Sequence, residues 1–271
     1  MEKIYLNICG FNILLKVHYT DQPYHLDNFV GMVKKNYSGF IKRGKGKVDF
    51  TVHVDYTGSV LLKIDKKKNS EVEYFDMRSS YLDIPKRTLF FNNPPGGLDF
   101  EFGLSIILNK YLIPNSNGMA LHGSAVSYKN KAFIFEGRNG AGKSTTAQML
   151  NGLCNISADD SIVIRKIKGR FYLFQTIIHD KNYNFKKGWQ SYTVDRIFFI
   201  KKAKEYKIQK IENKNMILNK ILKQIFTYPD MIKRQFPLLV EFANTKDFYY
   251  LYVKKDEKEF KKFFKKEILK I

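Results

Sequence analysis

The sequence predicts an α/β domain that follows a β-rich N-terminal region. Strand and helix patterns alternate from about residue 119 onward, whereas about the first 95 residues contain mostly strand patterns. The chain has 271 residues, which is enough for one or two domains. We therefore expect a β-rich accessory region over 1–115 and the α/β domain over 116–271.

The N-terminal region contains several short strand patterns. The segment 47–56, KVDFTVHVDY, alternates apolar and polar residues, which is the period of a half-buried strand. The other strand candidates are 3–17, 59–65, 71–78 and 87–93, and a helix is predicted at 25–36. The run NNPPGG at 92–97 interrupts regular structure, and a helix with one apolar stripe is predicted over 99–113, before Pro114.

The second half of the chain alternates strands with helices. Its predicted strands are 119–128, 131–136, 161–166, 170–175, 195–201 and 248–253. Its predicted helices are 143–153, 213–226, 230–243 and the basic segment 256–271. This alternation is typical of an α/β domain.

Composition excludes some classes of protein. Hydrophobic residues make up 44% of the chain, which excludes wholesale disorder. The 47 Lys and Arg against 26 Asp and Glu give a net charge of +21, which attracts nucleic acid, membrane, nucleotides and acidic peptides alike. No apolar run approaches the ~18 residues of a membrane span, and neither the two cysteines nor the five histidines show metal-ligand spacing. We expect a cytoplasmic protein.

The sharpest signal is a glycine-rich loop with the pattern G-x-x-x-x-G-K-[ST]. Its residues are Gly137, Arg138, Asn139, Gly140, Ala141, Gly142, Lys143, Ser144 and Thr145. In such a loop backbone N–H groups surround phosphate oxygens, the lysine reaches the β- and γ-phosphates, and the first hydroxyl ligates Mg²⁺. The pattern predicts binding of ATP and Mg²⁺, with Lys143 exposed in the empty loop and Thr145 as the weaker metal candidate. An ABC-type ATPase and a protein kinase are disfavoured because their further signatures are missing.

A histidine before the loop and two carboxylates after it complete a possible site. His122 lies in Leu-His-Gly, and Asp159 and Asp160 follow the predicted helix at a strand end. Taken alone, the pair is typical of a turn and the histidine of a structural residue. Near a bound triphosphate, one carboxylate can hold Mg²⁺ while the other takes a proton from an attacking hydroxyl.

The catalytic core of the HPr kinase/phosphorylase family, with its phosphoenolpyruvate-carboxykinase-like P-loop fold, is similar to the stretch LHGSAVSYKNKAFIFEGRNGAGKSTTAQMLNGLCNISADDSIVI. The resemblance covers about 119–166 and implies a kinase domain over 116–271 with a mixed sheet. It also implies that His122 is the active-site histidine and that Lys143 is catalytic. Asp159 corresponds to the base, and Ser144 and Asp160 to the metal side.

The chain also departs from that family. The segment FQTIIHDKNYNFKKGWQ lacks the family's further glycine-rich signature, although His179 and Asp180 offer polar groups there. The chain more closely resembles the HPr-kinase-like proteins encoded beside peptide-modifying enzymes. This implies an ATP-dependent kinase that phosphorylates a hydroxyl, preferably Ser, of a peptide or protein such as a ribosomally made precursor peptide. Arg138 and Arg165 are candidates for stabilising the transition-state charge.

Two alternatives stay open. A small-molecule kinase would use the same core, because an acceptor pocket has no signature in this sequence. A non-enzymatic nucleotide- or nucleic-acid-binding protein is suggested by lysine runs such as 66–68, 201–202 and 261–266. These runs are dispersed and no nucleic-acid-binding motif accompanies them, which disfavours nucleic acid as a partner. An oligomer remains possible.

Overall fold

The computed structural model describes residues 1–19, 26–42, 46–56, 72–75, 80–91, 95–177 and 187–271. The chain forms two compact units, Met1–Ile107 with Lys187–Trp189, and Leu108–Lys186 with Gln190–Ile271. Both contain helices and a sheet with parallel and antiparallel pairs, so the fold is mixed α/β. The division into an accessory region and a catalytic domain remains a prediction about function.

The first unit is built on a mixed sheet, which has six strands among the described residues, in the order β1-β2-β3-β6-β5-β4. The strands are β1 (Glu2–Ile8), β2 (Phe11–His18), β3 (Phe50–Asp55), β4 (Val72–Phe75), β5 (Ser80–Asp83) and β6 (Thr88–Phe91). The helices are α1 (Leu26–Asn36) and α2 (Gly97–Ile106). The rings of Phe29 in α1 and Phe100 in α2 meet edge to face at 5.3 Å, so the two helices share one core.

One strand prediction for this unit changes, one strand is additional, and two candidates lie wholly or partly outside the described residues. The expected strand 3–17 is a hairpin, because Cys9 and Gly10 both adopt positive φ (53° and 79°) and turn the chain. The strand β5 was not predicted. The candidate at 59–65 and the ends of the candidate at 71–78 lie outside the described residues.

The second unit is built on a larger mixed sheet. Ten strands are described, in the order β10-β8-β9-β13-β12-β11-β7-β15, with β16 beside β13 and β14 beside β16. The strands are β7 (Gly118–Leu121), β8 (Ser124–Tyr128), β9 (Lys131–Glu136), β10 (Asn155–Ala158), β11 (Ile162–Ile167), β12 (Arg170–Phe174), β13 (Ser191–Lys202), β14 (Lys207–Lys210), β15 (Ile225–Phe226) and β16 (Asp247–Val253). The helices are α3 (Lys143–Met149), α4 (Lys214–Leu222), α5 (Ile232–Thr245) and α6 (Glu257–Phe263), and π-helical turns cover Ile107–Leu112 and Phe264–Leu269.

Helices cover both faces of this sheet. Along β9, Ile134 packs into one apolar cluster and Phe133 and Phe135 into the other, as the alternation of side chains on a strand requires. The first cluster includes residues of α4 and α5, and the second includes residues of α3 and α6. The central strand β9 is therefore buried on both sides, and its end is fixed in position.

Several boundaries differ from the predictions. The expected strand 119–128 is two strands, since β7 pairs with β11 and β8 pairs with β9. The expected helix 143–153 ends at Met149, and the expected helix 213–226 ends at Leu222, before β15. The short strands β10 and β14 were not predicted. In the described part of the chain, no helix is both long and apolar enough to cross a membrane.

Candidate active site

The glycine-rich loop connects the end of β9 to the start of α3. Gly140 and Gly142 have positive φ of 75° and 99°, a backbone conformation that L side chains rarely adopt. No neighbouring atom would obstruct a Cβ at either position, so the backbone conformation and not lack of space requires glycine there. The loop therefore has the backbone turns that its pattern predicts.

Lys143 is folded back onto this loop. Its Nζ donates to the carbonyl oxygen of Gly137 at 2.9 Å and lies 3.4 Å from that of Arg138. The residue is 7% exposed, so the expectation of an exposed Lys143 is wrong. Burial lowers the pKa of Lys143, while the nearby carboxylates, above all Glu136, oppose that shift. Backbone carbonyl oxygens therefore bind the ammonium group that the loop pattern assigns to phosphate.

Asp159 is buried and bonded to the first turn of α3. It follows β10, is 2% exposed, and its Oδ1 accepts hydrogen bonds from Ser124 Oγ at 2.6 Å and Ser144 Oγ at 2.7 Å. Ser144 is the hydroxyl that the loop pattern assigns to the metal. The carboxylate and this hydroxyl thus form one cluster of oxygen atoms beside the loop.

Asp160 points elsewhere and contacts His122. Asp160 has a positive φ of 68°, so the backbone changes direction between the two aspartates. His122 Nδ1 lies 2.9 Å from the Asp160 carbonyl oxygen and 3.2 Å from its Oδ1. Since both are acceptors, Nδ1 carries the hydrogen. The side chain of Asp160 is 39% exposed, which leaves its carboxylate accessible.

His122 is held at the break between β7 and β8. Its backbone N–H donates to Gln224 O at 2.7 Å, and its ring meets the Phe226 ring edge to face at 5.6 Å. Both partners belong to the segment around β15, which pairs with β7. The short strand β15 therefore fixes the histidine in front of Asp160.

A cavity of about 1060 Å³ brings these groups together. It is lined by the loop from Asn139 to Thr145 and by His122, Asp159 and Asp160, and on another side by Lys202, Lys254 and Lys255. This volume lies just above the usual range for small-molecule sites, about 300–1,000 Å³, which is sufficient for a nucleotide. Three lysines at the ends of β13 and β16 make the cavity attractive to anions.

The structure places most of the residues selected from the sequence at this cavity. Gly137 and Arg138 lie at the start of the loop, where their carbonyl oxygens meet Lys143. Arg165 lies on β11 with its guanidinium 5.5 Å from the Phe174 ring centroid, and it is absent from the described residues that line the cavity. His179 and Asp180 lie outside the described residues.

Sequence reasoning missed five residues of this region. They are Ser124, Glu136, Lys202, Lys254 and Lys255. Ser124 and Glu136 could have been suspected from their positions, one beside the Leu-His-Gly motif and one directly before the loop. The three lysines follow strands with no distinguishing pattern, so they depend on the fold for their position.

Comparisons with known proteins give a distant likeness to solved structures. No protein-family model matches the chain, and no curated protein sequence matches it. Among solved structures it is similar to the HPr(Ser) kinase/phosphatase from Coxiella burnetii, with a TM-score of 0.33 and 8% sequence identity, over 56% of this chain and 97% of that one. A likeness of this extent carries no argument about activity.

Proposed function

We propose that the second unit is an ATP-dependent phosphotransferase that transfers the γ-phosphate to a hydroxyl, preferably of a serine in a peptide or protein. The observation that carries this proposal is the arrangement around one cavity. A glycine-rich loop with its lysine lies beside a bonded Ser144–Asp159 pair and a His122–Asp160 pair. Nucleotide binding, metal binding and proton transfer each have suitable groups there.

The donor side consists of the loop and Lys143. Loop N–H groups would surround the phosphates, and Lys143 would exchange the Gly137 carbonyl for phosphate oxygens. Mg²⁺ takes oxygen ligands, and Ser144 Oγ and Asp159 Oδ1 are two oxygens already 2.7 Å apart. These two residues would hold the ion, which when bound neutralises charge on the β- and γ-phosphates.

On the acceptor side, we propose roles for the two aspartates that are the reverse of those the family resemblance implies. Asp159 is buried and bonded to the metal-side Ser144, which suits a metal ligand. Asp160 is accessible and contacts His122, which suits a base that takes the proton from the acceptor hydroxyl. His122 would act as a positioning residue, because its Nδ1–H meets both the backbone carbonyl and the carboxylate of Asp160.

The positive charge of the protein and of its cavity supports an anionic acceptor. The chain carries +21, and Lys202 and Lys255 are exposed at the cavity. A hydroxyl flanked by carboxylates would be drawn to this site at low ionic strength. An acidic peptide with a serine is the acceptor that we propose.

The test uses ATP labelled on the γ-phosphate, Mg²⁺, and a library of serine peptides with acidic or basic flanking residues. We expect transfer to acidic peptides, and loss of transfer and weaker ATP binding in Lys143→Ala. The matched control is Lys131→Ala, at the other end of β9, where the lysine pairs with Asp195 at 3.0 Å on the surface. Absence of ATP binding would reject the nucleotide site. Release of all the label as inorganic phosphate, with none on a peptide, would reject the peptide acceptor.

A further inference from the structure

Glu136 is a buried carboxyl group directly before the loop. It is 1% exposed, and neither Oε1 nor Oε2 has a hydrogen-bond partner among the described residues. A buried carboxyl without partners is costly, because the water that would solvate it is lost and nothing replaces it. A residue of this kind beside a proposed catalytic loop requires an explanation.

The carboxyl group of Glu136 is enclosed by the backbone and lies near enough to Lys143 to act on its charge. A Cβ at Gly123 would lie 2.9 Å from Glu136 Oε1, so the carboxyl is packed against the backbone where β7 and β8 separate. Lys143 Nζ is bonded to the carbonyl of Gly137, the next residue along the chain. Among the carboxylates that act on Lys143, Glu136 has the largest effect.

We propose that Glu136 holds Lys143 on the loop carbonyls while the site is empty, and takes up a proton when nucleotide phosphates draw Lys143 away. This inference rests on the proposed function, since it requires phosphates in the loop. The ammonium group would move from the loop carbonyls to the nucleotide, and the buried carboxylate of Glu136 would then bind a proton from solvent. No other covalent change occurs.

The electrostatics of the buried carboxyl agree with this geometry. Burial raises the pKa of Glu136, and the charge of Lys143 opposes that rise. Removing the ammonium and adding phosphate charge both favour the protonated acid. We therefore expect proton uptake when ATP binds. In the pH range in which this uptake occurs, the ATP affinity should fall with rising pH by up to about tenfold per pH unit.

Other titratable groups lie on the elements beside Glu136. His122 precedes Gly123, and Asp159 and Asp160 act with Glu136 on Lys143. Lys220 on α4 has its Nζ 5.2 Å from the ring of Phe199, the β13 residue paired with Glu136. At pH 8 and above the nucleotide phosphates have lost their last protons, because the ordinary pKa of a phosphate monoester lies near 6.

The experiment is calorimetry of Mg·ATP binding to the full chain at pH 8 and pH 9, in buffers with different heats of ionisation. We expect the wild type to take up a fraction of a proton and Glu136→Gln to take up none, with tighter ATP binding at pH 9 than the wild type. Adenosine, which lacks phosphates, should cause no uptake. Asp195→Asn, on the neighbouring strand β13, is the matched control and should behave as the wild type.

The outcomes separate the two proposals. ATP that fails to bind rejects the proposed function. ATP that binds the wild type with no proton uptake overturns the role of Glu136, and this result needs no variant to fold. Proton uptake that persists in Glu136→Gln also overturns the role of Glu136. The proton would then bind to Lys143, because Glu136 is the carboxylate that most raises the pKa of Lys143 and the substitution removes its charge.

Discussion

The roles that we propose for the two aspartates predict different effects of two conservative substitutions. Asp160→Asn removes a base but keeps a residue type that tolerates the positive φ of 68°. We expect the free energy of unfolding to change by less than about 0.5 kcal/mol, as for other substitutions on the surface. The rate of phosphoryl transfer should fall by a factor of at least about 10², the lower end of the range for loss of a general base. This factor corresponds to an increase of about 2.7 kcal/mol in the activation free energy.

Asp159→Asn should act on stability and on the metal. Its Oδ1 accepts two hydroxyl hydrogen bonds, at 2.6 and 2.7 Å. A hydrogen bond to a charged group contributes about 1 kcal/mol more to stability than a hydrogen bond to a neutral group. Neutralising Asp159 should therefore lower the free energy of unfolding by up to about 2 kcal/mol. The Mg²⁺ concentration for half-maximal rate should rise, while the rate at saturating Mg²⁺ falls less than in Asp160→Asn.

The assay is single-turnover loss of the γ-phosphate at increasing Mg²⁺ concentration, combined with urea unfolding of each variant. Water serves as the acceptor where no peptide has been found. The proposed roles are refuted if Asp160→Asn raises the Mg²⁺ requirement and keeps the rate at saturating Mg²⁺, while Asp159→Asn loses the rate at every Mg²⁺ concentration. Equal loss of stability with unchanged rates in both variants would instead assign the pair to a structural turn.

Three further predictions concern stability and reactivity. Burial, together with Lys16, lowers the pKa of His53 to about 4, so below about pH 6.5 the folded state binds fewer protons than the unfolded state. The free energy of unfolding should therefore fall as the pH drops from 6.5 to 4. Urea unfolding of His53→Gln should show a smaller fall over the same range. Gly123→Ala places a Cβ 2.9 Å from both Glu136 Oε1 and the Phe135 carbonyl oxygen, so thermal unfolding should show a loss of about 1–3 kcal/mol, and an unchanged melting temperature would contradict this packing. Burial raises the pKa of Cys154 to about 12, and alkylation at pH 8 should therefore follow unfolding, which a labelling time course in increasing urea measures.

The sequence predicted the mixed α/β class and most long elements, because these depend on local periodicity. The sequence-based prediction failed where strand pairing decides the boundaries and the type of an element. The segment 119–128 was predicted as one strand, yet its two halves pair with β11 and β9. The residues of β15 extend the apolar stripe of the preceding helix, and their pairing with β7 makes them a strand instead. Strands of two to four residues carry too little pattern to be recognised.

The site shows the same limit at the level of single side chains. Sequence spacing selected the loop, the histidine and both carboxylates, because the chemistry of phosphoryl transfer needs those residue types. It could not assign a role to each aspartate, since adjacent residues differ in direction according to backbone φ, and the positive φ at Asp160 is not visible in the letters Asp-Asp.

The burial of Lys143 and Glu136 could not be read from the sequence for a related reason. A lysine in a glycine-rich loop and a glutamate at a strand end are both expected to reach solvent, because most charged side chains do. Here β9 is covered on both faces, so the side chain of Glu136 at its end is enclosed. The ammonium group of Lys143 bonds to the carbonyl oxygen of Gly137, the next residue along the chain. The enclosure of β9 thus couples a buried charge to the loop, and proton uptake on nucleotide binding is the measurable consequence.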